Sequence, residues 1–107
     1  MSAQTMLRIT LDETLDQLTI RLEGRVAGPW AAELSRTWSE AAARLGSKQL
    51  CIDLCGATYA DQSGKQVLSS IYFQAGAVFL ADTPWTQFLA HEVVNNAQRL
   101  DGGPESC

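Results

Sequence analysis

The sequence predicts an α/β fold, a mixed four-stranded sheet with helices in the order β-β-α-β-α-β-α. Two alternating stretches near the N-terminus have the period of half-buried strands. Two short apolar runs, at residues 50–54 and 77–81, have the length of strands. Three longer stretches repeat apolar residues at helical spacing. Because helices separate the last three strands, we expect those strands to be parallel with right-handed crossovers.

The first two strands are predicted as a hairpin, at residues 6–11 and 18–23. Their apolar positions alternate with polar ones and are Leu7, Ile9, Leu11, Leu18, Ile20 and Leu22. Residues 12–17 are polar and predict a turn between them. The first strand is therefore expected to be antiparallel to the second.

A first helix follows a predicted loop at residues 24–28, with Pro29 at its first position. It runs to about Leu45, where Gly46 is a natural stop. Its apolar stripe is Trp30, Leu34, Trp38, Ala41, Ala42 and Leu45. The two tryptophans are interpreted as core residues, and an exposed docking patch is the alternative.

The central strand at residues 50–54 shows little polar alternation, so we expect it to be buried on both faces. Residues 55–60 are predicted to leave it as a loop, and a helix opens at Asp61 and ends near Gly76. The apolar face of that helix is Val67, Leu68, Ile71, Tyr72 and Ala75. Ser63 then stands at a helix N-terminus past the carboxyl end of a strand, where open α/β sheets bind ligands.

The last strand, at 77–81, precedes a helix with Thr83 as N-cap and Pro84 at its first position. The stripe of this helix is Trp85, Phe88, Leu89, Val93, Ala97 and, at its end, Leu100. The length of 107 residues indicates one domain. We expect its core to span about residues 6–97, with residues 1–5 loose and 101–107 a flexible tail.

Composition limits the classes of partner. Twelve acidic against eight basic residues give a net charge of −4, which argues against nucleic acid and anionic membrane surfaces. The N-terminal residues do not resemble a signal peptide, and the longest apolar run is too short to span a bilayer. We therefore expect a cytoplasmic protein without membrane insertion.

The sequence predicts no metal, no cofactor and no enzyme. Cys51 and Cys55 would lie about 13 Å apart along a strand, whereas a disulfide needs less than about 7 Å. Their spacing is poor for zinc, so both are interpreted as small buried hydrophobes, and Cys107 is expected to be disordered. His91 is a lone helical histidine, and Ser63 does not lie in a G-x-S-x-G elbow.

The segment from Asp53 to Gly64 resembles the STAS domain, which occurs in bacterial anti-sigma-factor antagonists and in the cytoplasmic tails of sulfate transporters. The antagonist pattern is roughly D-L-S-G-V-x-x-x-D-S/T-S-G-L-G, matched here by Asp53, Leu54, Gly56, Asp61, Ser63 and Gly64. The second serine of the pattern is the phosphoacceptor, and it falls on Ser63. The similarity covers about residues 6–97 in element order. Gln62, Lys65 and Gln66 depart from the pattern, which bears on the phosphoswitch more than on the fold.

The resemblance implies a non-enzymatic regulatory protein-binding module with Ser63 as phosphoacceptor candidate. The implied partner-binding residues are Asp61, Gln62, Gly64, Lys65, Arg25 and Gly28. Asp61 would be the N-cap and would orient the Ser63 hydroxyl or contact a kinase-bound metal. Lys65 is either a solvated charge or a group that neutralises a phosphate or pairs with an acidic partner. The loop from Arg25 to Gly28 is expected at the same end of the sheet as Ser63, because it too follows a strand and precedes a helix. The alternative for these residues is a helix cap and a plain strand-to-helix turn.

Three functions remain open at this point. The first is an anti-sigma-factor antagonist whose partner is a serine kinase that also inhibits a sigma factor. The second is a non-switching STAS accessory subunit of a transport ATPase, and the third is a domain that binds a small ligand or nucleotide. STAS domains usually add a fifth strand, so an open edge at 77–81 or 6–11 is expected to be covered by the tail or by a second copy, as in a homodimer.

Overall fold

A computed structural model describes the backbone of residues 7–100 and the side chains of residues 7–97. The elements are β1 (Leu7–Glu13), β2 (Gln17–Val26), α1 (Pro29–Leu45), β3 (Gln49–Ala60), α2 (Gln62–Ala75), β4 (Val78–Leu80) and α3 (Pro84–Leu100). The predicted element order is confirmed. The expectations for residues 1–6, for residues 101–107 with Cys107, and for the Leu100 side chain lie outside the described residues.

The four strands form one mixed sheet in the order β1-β2-β3-β4. β1 is antiparallel to β2, and the β2–β3 and β3–β4 pairs are parallel, as predicted. The fully buried side chains of the central strands share one core with residues from all three helices. Arg21 and Glu23, which point the other way on β2, are exposed. The helices therefore cover one face of the sheet and leave the other open.

The predicted burial of β3 on both faces is confirmed at most positions of residues 50–54. Ile52 on the helix side is fully buried and Cys51 on the other side is 3% exposed, whereas Asp53, on the same side as Cys51, is partly exposed. The three helices nevertheless lie on one face of the sheet. The physical reason is the topology. Both parallel crossovers run in the same direction along the sheet, and right-handed crossovers of that kind place their helices on one face.

β2 and β3 are longer than the sequence indicates, and the loops predicted at 24–28 and 55–60 are wrong for most of their length. Pairing continues to Val26 opposite Ala60, through two register shifts in which β3 has the extra residue. Gly24 adopts a φ of 108°, which other residues rarely adopt. Continued pairing satisfies backbone groups that a loop would leave to water. Cross-strand hydrogen bonding has therefore overridden the local loop signals.

The helix boundaries follow the predicted signals. Asp61 caps α2, and Gly76 ends it in the left-handed conformation, with its N–H donating to the carbonyl of Tyr72 at 2.8 Å. Thr83 caps α3, because its Oγ1 accepts a hydrogen bond of 3.1 Å from the Thr86 backbone N–H. These ends were predictable because each depends on one residue and its near neighbours.

The predicted stripes are partly wrong. Trp38 is only 7% exposed, which confirms it as a core residue, and Trp30 is half-buried. Ala42 is exposed, and so are Trp85 (38%) and Phe88 (61%) on α3. The core face of α3 is centred instead on its buried residues Thr86, Leu89, Val93 and Ala97. Periodicity gave a stripe wider than the face that the sheet and α2 cover.

Cys51 is buried as predicted, but Cys55 is exposed, so the prediction for Cys55 is wrong. Cys55 lies in the register shift between the paired positions Asp53 and Gly56. Its backbone N–H donates to Asp53 Oδ1 at 2.9 Å, and a hydrogen bond to the Asp53 carboxylate raises the pKa of its thiol to about 11. Since the thiolate is the reactive form, Cys55 is a weak nucleophile at neutral pH despite its exposure.

Candidate functional site

Ser63 occupies the second position of α2, at the carboxyl end of β3, where the sequence places it. Its side chain is exposed, and its hydroxyl makes no hydrogen bond to another described residue. The neighbouring Gln62 is exposed as well. The hydroxyl is therefore open to a kinase or to a docking protein.

Asp61 ties the start of α2 to the loop before α1. Its Oδ1 accepts a hydrogen bond from the Gly64 N–H at 2.8 Å, and its Oδ2 accepts one from the Gly28 N–H at 3.0 Å. The backbone N–H of Asp61 donates to the carbonyl of Val26 at 3.2 Å. The hydrogen bond from the Gly64 N–H, and to a smaller extent the one from the Gly28 N–H, holds the pKa of the Asp61 carboxyl below its ordinary value.

This clamp brings Gly28 and Ser63 to the same end of the sheet, as the sequence predicts. It also changes the role suggested for Asp61. Both carboxylate oxygens bind backbone N–H groups. The carboxylate therefore positions the helix start as a whole, and no hydrogen bond joins it to the Ser63 hydroxyl.

Gly64 is buried directly against the end of β2. A Cβ added at this position would lie 2.0 Å from the carbonyl oxygen of Val26. No other residue type fits such a close backbone approach without displacement of the helix. The structure thus gives Gly64 a packing role, and its contact with a partner stays a prediction.

Lys65 is paired within the chain. Its Nζ lies 3.1 Å from Oε1 of Glu92 on α3, and both side chains are partly buried. One interpretation of Lys65 was a charge surrounded by water, and the ion pair with Glu92 contradicts it. The other was a cation that neutralises a phosphate on Ser63, and the same ion pair competes with that role. Glu92 had no sequence signal, because only the packing of α3 across α2 brings it to this place.

Arg25 lies in β2, paired in register with Tyr59 of β3. The Arg25 guanidinium stacks over the Tyr59 ring, 4.4 Å from its centroid. Both side chains are exposed. Such cation–π pairs contribute about 0.5–1 kcal/mol at exposed sites. Tyr59 was missed because residues 55–60 were interpreted as a loop.

A groove of about 420 Å³ runs between α1 and α2 and begins beside Ser63. Its polar lining residues are Ser35, Ser39, Ser63, Gln66, Ser70 and Gln74. At the far end, Trp38 Nε1 donates to Gln74 Oε1 at 3.1 Å. Hydroxyl and amide groups of this kind can hydrogen-bond a polar segment of a partner.

The chemistry available here is that of an exposed hydroxyl at a helix N-terminus. Residues 7–97 contain no group of three His, Cys, Asp or Glu side chains that could hold a metal ion. A phosphate on Ser63 would meet the positive end of the α2 dipole.

Across the described residues, no helix is both long and apolar enough to cross a membrane.

Comparison of the sequence with protein-family models gives no match, and comparison with curated proteins gives none either. The fold does match solved structures. An anti-sigma factor antagonist from Mycobacterium paratuberculosis superposes with a TM-score of 0.74 at 18% identity, covering 92% of this chain and 86% of its own.

Two further structures have the same fold. The anti-sigma factor antagonist SpoIIAA in its unphosphorylated form gives a TM-score of 0.62 at 14% identity, covering 85% of this chain and 98% of its own. An antisigma-factor antagonist STAS domain from Rhodobacter sphaeroides gives 0.51 at 18% identity, covering 74% of this chain and 88% of its own. The predicted STAS-like fold is confirmed, and at these identities the likeness is one of fold.

Proposed function

We propose that this protein is a non-enzymatic protein-binding regulator of the anti-sigma-factor antagonist type, with Ser63 as its phosphoacceptor. The observation that carries the proposal is the exposed Ser63 hydroxyl in the first turn of α2, beside the groove to α1. The fold shared with anti-sigma factor antagonists supports it. The partner of this type is a serine kinase that also inhibits a sigma factor.

Phosphorylation of Ser63 would act on binding more than on folding. A phosphate adds roughly −1.5 to −2 charges at neutral pH. The α2 N-terminus favours that charge, and Asp61 next to it opposes the charge, so the two effects partly cancel. A partner seated on Gln62, Ser63 and the rim formed by Arg25 and Gly28 would have to desolvate the phosphate. An acidic group of the partner opposite Ser63 would be repelled.

A non-switching accessory subunit of a transport ATPase is the second candidate. The ion pair between Lys65 and Glu92 favours it. Lys65 is the cationic residue nearest to Ser63 in the sequence, and its pairing with Glu92 makes it less able to neutralise a phosphate on Ser63. The polar groove favours a third candidate, a small ligand or nucleotide, although the net charge of −4 disfavours a phosphate-rich one. In each case the same end of the sheet is the binding face.

The test is a Ser63→Asp variant with Ser63→Ala and Ser35→Asp as controls. The partner is captured from the native cell extract with wild-type protein, identified and titrated against each variant. We expect Ser63→Asp to weaken binding at least about tenfold, or 1.4 kcal/mol, with an unchanged melting temperature. Ser63→Ala should bind like wild type. Ser35→Asp places a negative charge on α1 in the same groove, and it should bind the partner more tightly than Ser63→Asp does. Equal binding of Ser63→Asp and wild type would favour the accessory-subunit function.

A further inference from the structure

The last strand, β4, forms one edge of the described sheet. β4 has three residues and pairs only with β3 among the described strands. Val78 and Leu80 point to the open face and are 48% and 43% exposed. Phe79 between them points to the helix face and is half-buried. Exposed edges of this kind are templates for pairing with another strand.

The helix face beside the same strand carries an apolar cleft of about 300 Å³. Its lining is Tyr72, Ala77, Phe79, Ala90, His91 and Val94. The rings of Tyr72 and Phe79 stack with centroids 5.9 Å apart. β4 therefore presents apolar side chains on both faces, at an edge that no other strand of residues 7–100 pairs with.

The opposite edge is different. β1 carries the exposed charges Arg8, Asp12 and Glu13. Glu13 is bound by Arg44, at 2.6 Å, and by Lys48. Charged side chains are a usual means of blocking edge-to-edge pairing. Of the two open edges that the sequence predicts, only β4 lacks this protection.

We propose that a second copy of this chain pairs with β4, antiparallel about a two-fold axis, to form a continuous eight-stranded sheet. In the centred register Phe79 lies opposite the second copy's Phe79, and Val78 lies opposite the second copy's Leu80. Every cross-strand pair is then apolar on both faces, and no charge is buried. The strand is thus complementary to itself, which a two-fold interface requires.

Residues 101–107 contain no Val, Ile, Leu, Met or aromatic residue that could fill the cleft. Residues 1–6 precede β1, at the opposite edge of the sheet. The second copy leaves the groove between α1 and α2 uncovered, because α1 packs against β2. Dimerisation and the function proposed for Ser63 can therefore fail independently.

Sedimentation velocity over a concentration series tests the proposal. It compares wild type with Leu80→Lys on β4 and with Leu11→Lys, the matched control on the charged edge β1. Wild type and Leu11→Lys should form a dimer as concentration rises, and Leu80→Lys should stay monomeric with the circular dichroism of the folded wild type. A wild-type protein that stays monomeric throughout would overturn the proposal. A dimer abolished by Leu11→Lys but not by Leu80→Lys would overturn it too.

Disulfide trapping tests the register of the paired β4 strands without introducing a charged side chain into β4. Val78→Cys and Leu80→Cys are made in a background with Cys51→Ala, Cys55→Ser and Cys107→Ser, because Cys51 is paired in register with Val78 within one chain. Directly opposite residues have Cα atoms about 4.5–5.5 Å apart, within disulfide reach, whereas diagonal ones lie beyond about 7 Å. An equimolar mixture of the two variants should therefore cross-link more completely than either variant alone. Cross-linking that is equal in the mixture and in the single variants, or absent from all three, contradicts the antiparallel pairing.

Discussion

Replacing Trp38 with alanine is expected to lower the free energy of unfolding by about 3–5 kcal/mol. The Trp38 side chain is 7% exposed and belongs to the core that joins the sheet to the helices. Its removal loses the burial of a large aromatic surface and leaves a cavity between α1 and α2. The hydrogen bond to Gln74 is a smaller part of the loss, because Gln74 is exposed and can bind water instead.

Urea denaturation of wild type, Trp38→Ala and Trp85→Ala measures this effect. Trp85 is the matched control, since it is the same residue type on a helix but 38% exposed. Its replacement should cost less than that of Trp38, because a larger share of the Trp85 side chain is already in contact with water. A loss below about 1 kcal/mol for Trp38→Ala would contradict its core role and favour the docking-patch interpretation.

Replacing Gly64 with alanine is the second large effect, a net loss of about 1–3 kcal/mol or more. The added Cβ would stand 2.0 Å from the Val26 carbonyl oxygen, so the start of α2 must move away from β2. That movement also stretches the hydrogen bond from the Asp61 N–H to the same carbonyl, 3.2 Å in the native fold. The helix propensity gained on replacing glycine, up to about 1 kcal/mol, offsets only part of the loss.

Gly56→Ala is the control for this variant. Its Cβ would lie 2.8 Å from Cγ of Glu23, an exposed side chain that can move aside, and 3.2 Å from the Leu22 carbonyl oxygen. We expect it to be the less destabilising of the two in the same denaturation experiment. If Gly64→Ala is as stable as wild type, the close packing of α2 on β2 is not as described.

Much of the fold was predictable because its signals are local. The caps Asp61 and Thr83 and the stop at Gly76 each depend on a short stretch of sequence, and all three are confirmed. The ends of β2 and β3 were not predictable, because they depend on pairing between segments more than thirty residues apart. The exposure of Cys55 follows from a register shift in that pairing, which no composition or periodicity reveals.

The site divides in the same way. Gly28 and Ser63 could be placed together because both follow parallel strands whose carboxyl ends share one edge of the sheet. The Lys65–Glu92 pair and the stacking of Arg25 on Tyr59 depend on how helices cross and strands align, so the sequence alone did not give them. The exposure of Phe88 was missed for a related reason, since periodicity does not tell how much of a helix its neighbours cover.

The most direct test of the Ser63 account is mass spectrometry of the protein isolated from its native cell, free and in complex. Trypsin cuts after Lys48 and Lys65, so one peptide, residues 49–65, carries Ser63 together with Thr58 and Tyr59. Fragmentation of that peptide assigns any phosphate to one of the three. The account predicts phosphate on Ser63 in the free protein and its absence from the protein bound to the partner. A peptide free of phosphate in both fractions, or phosphorylated equally in both, would contradict it.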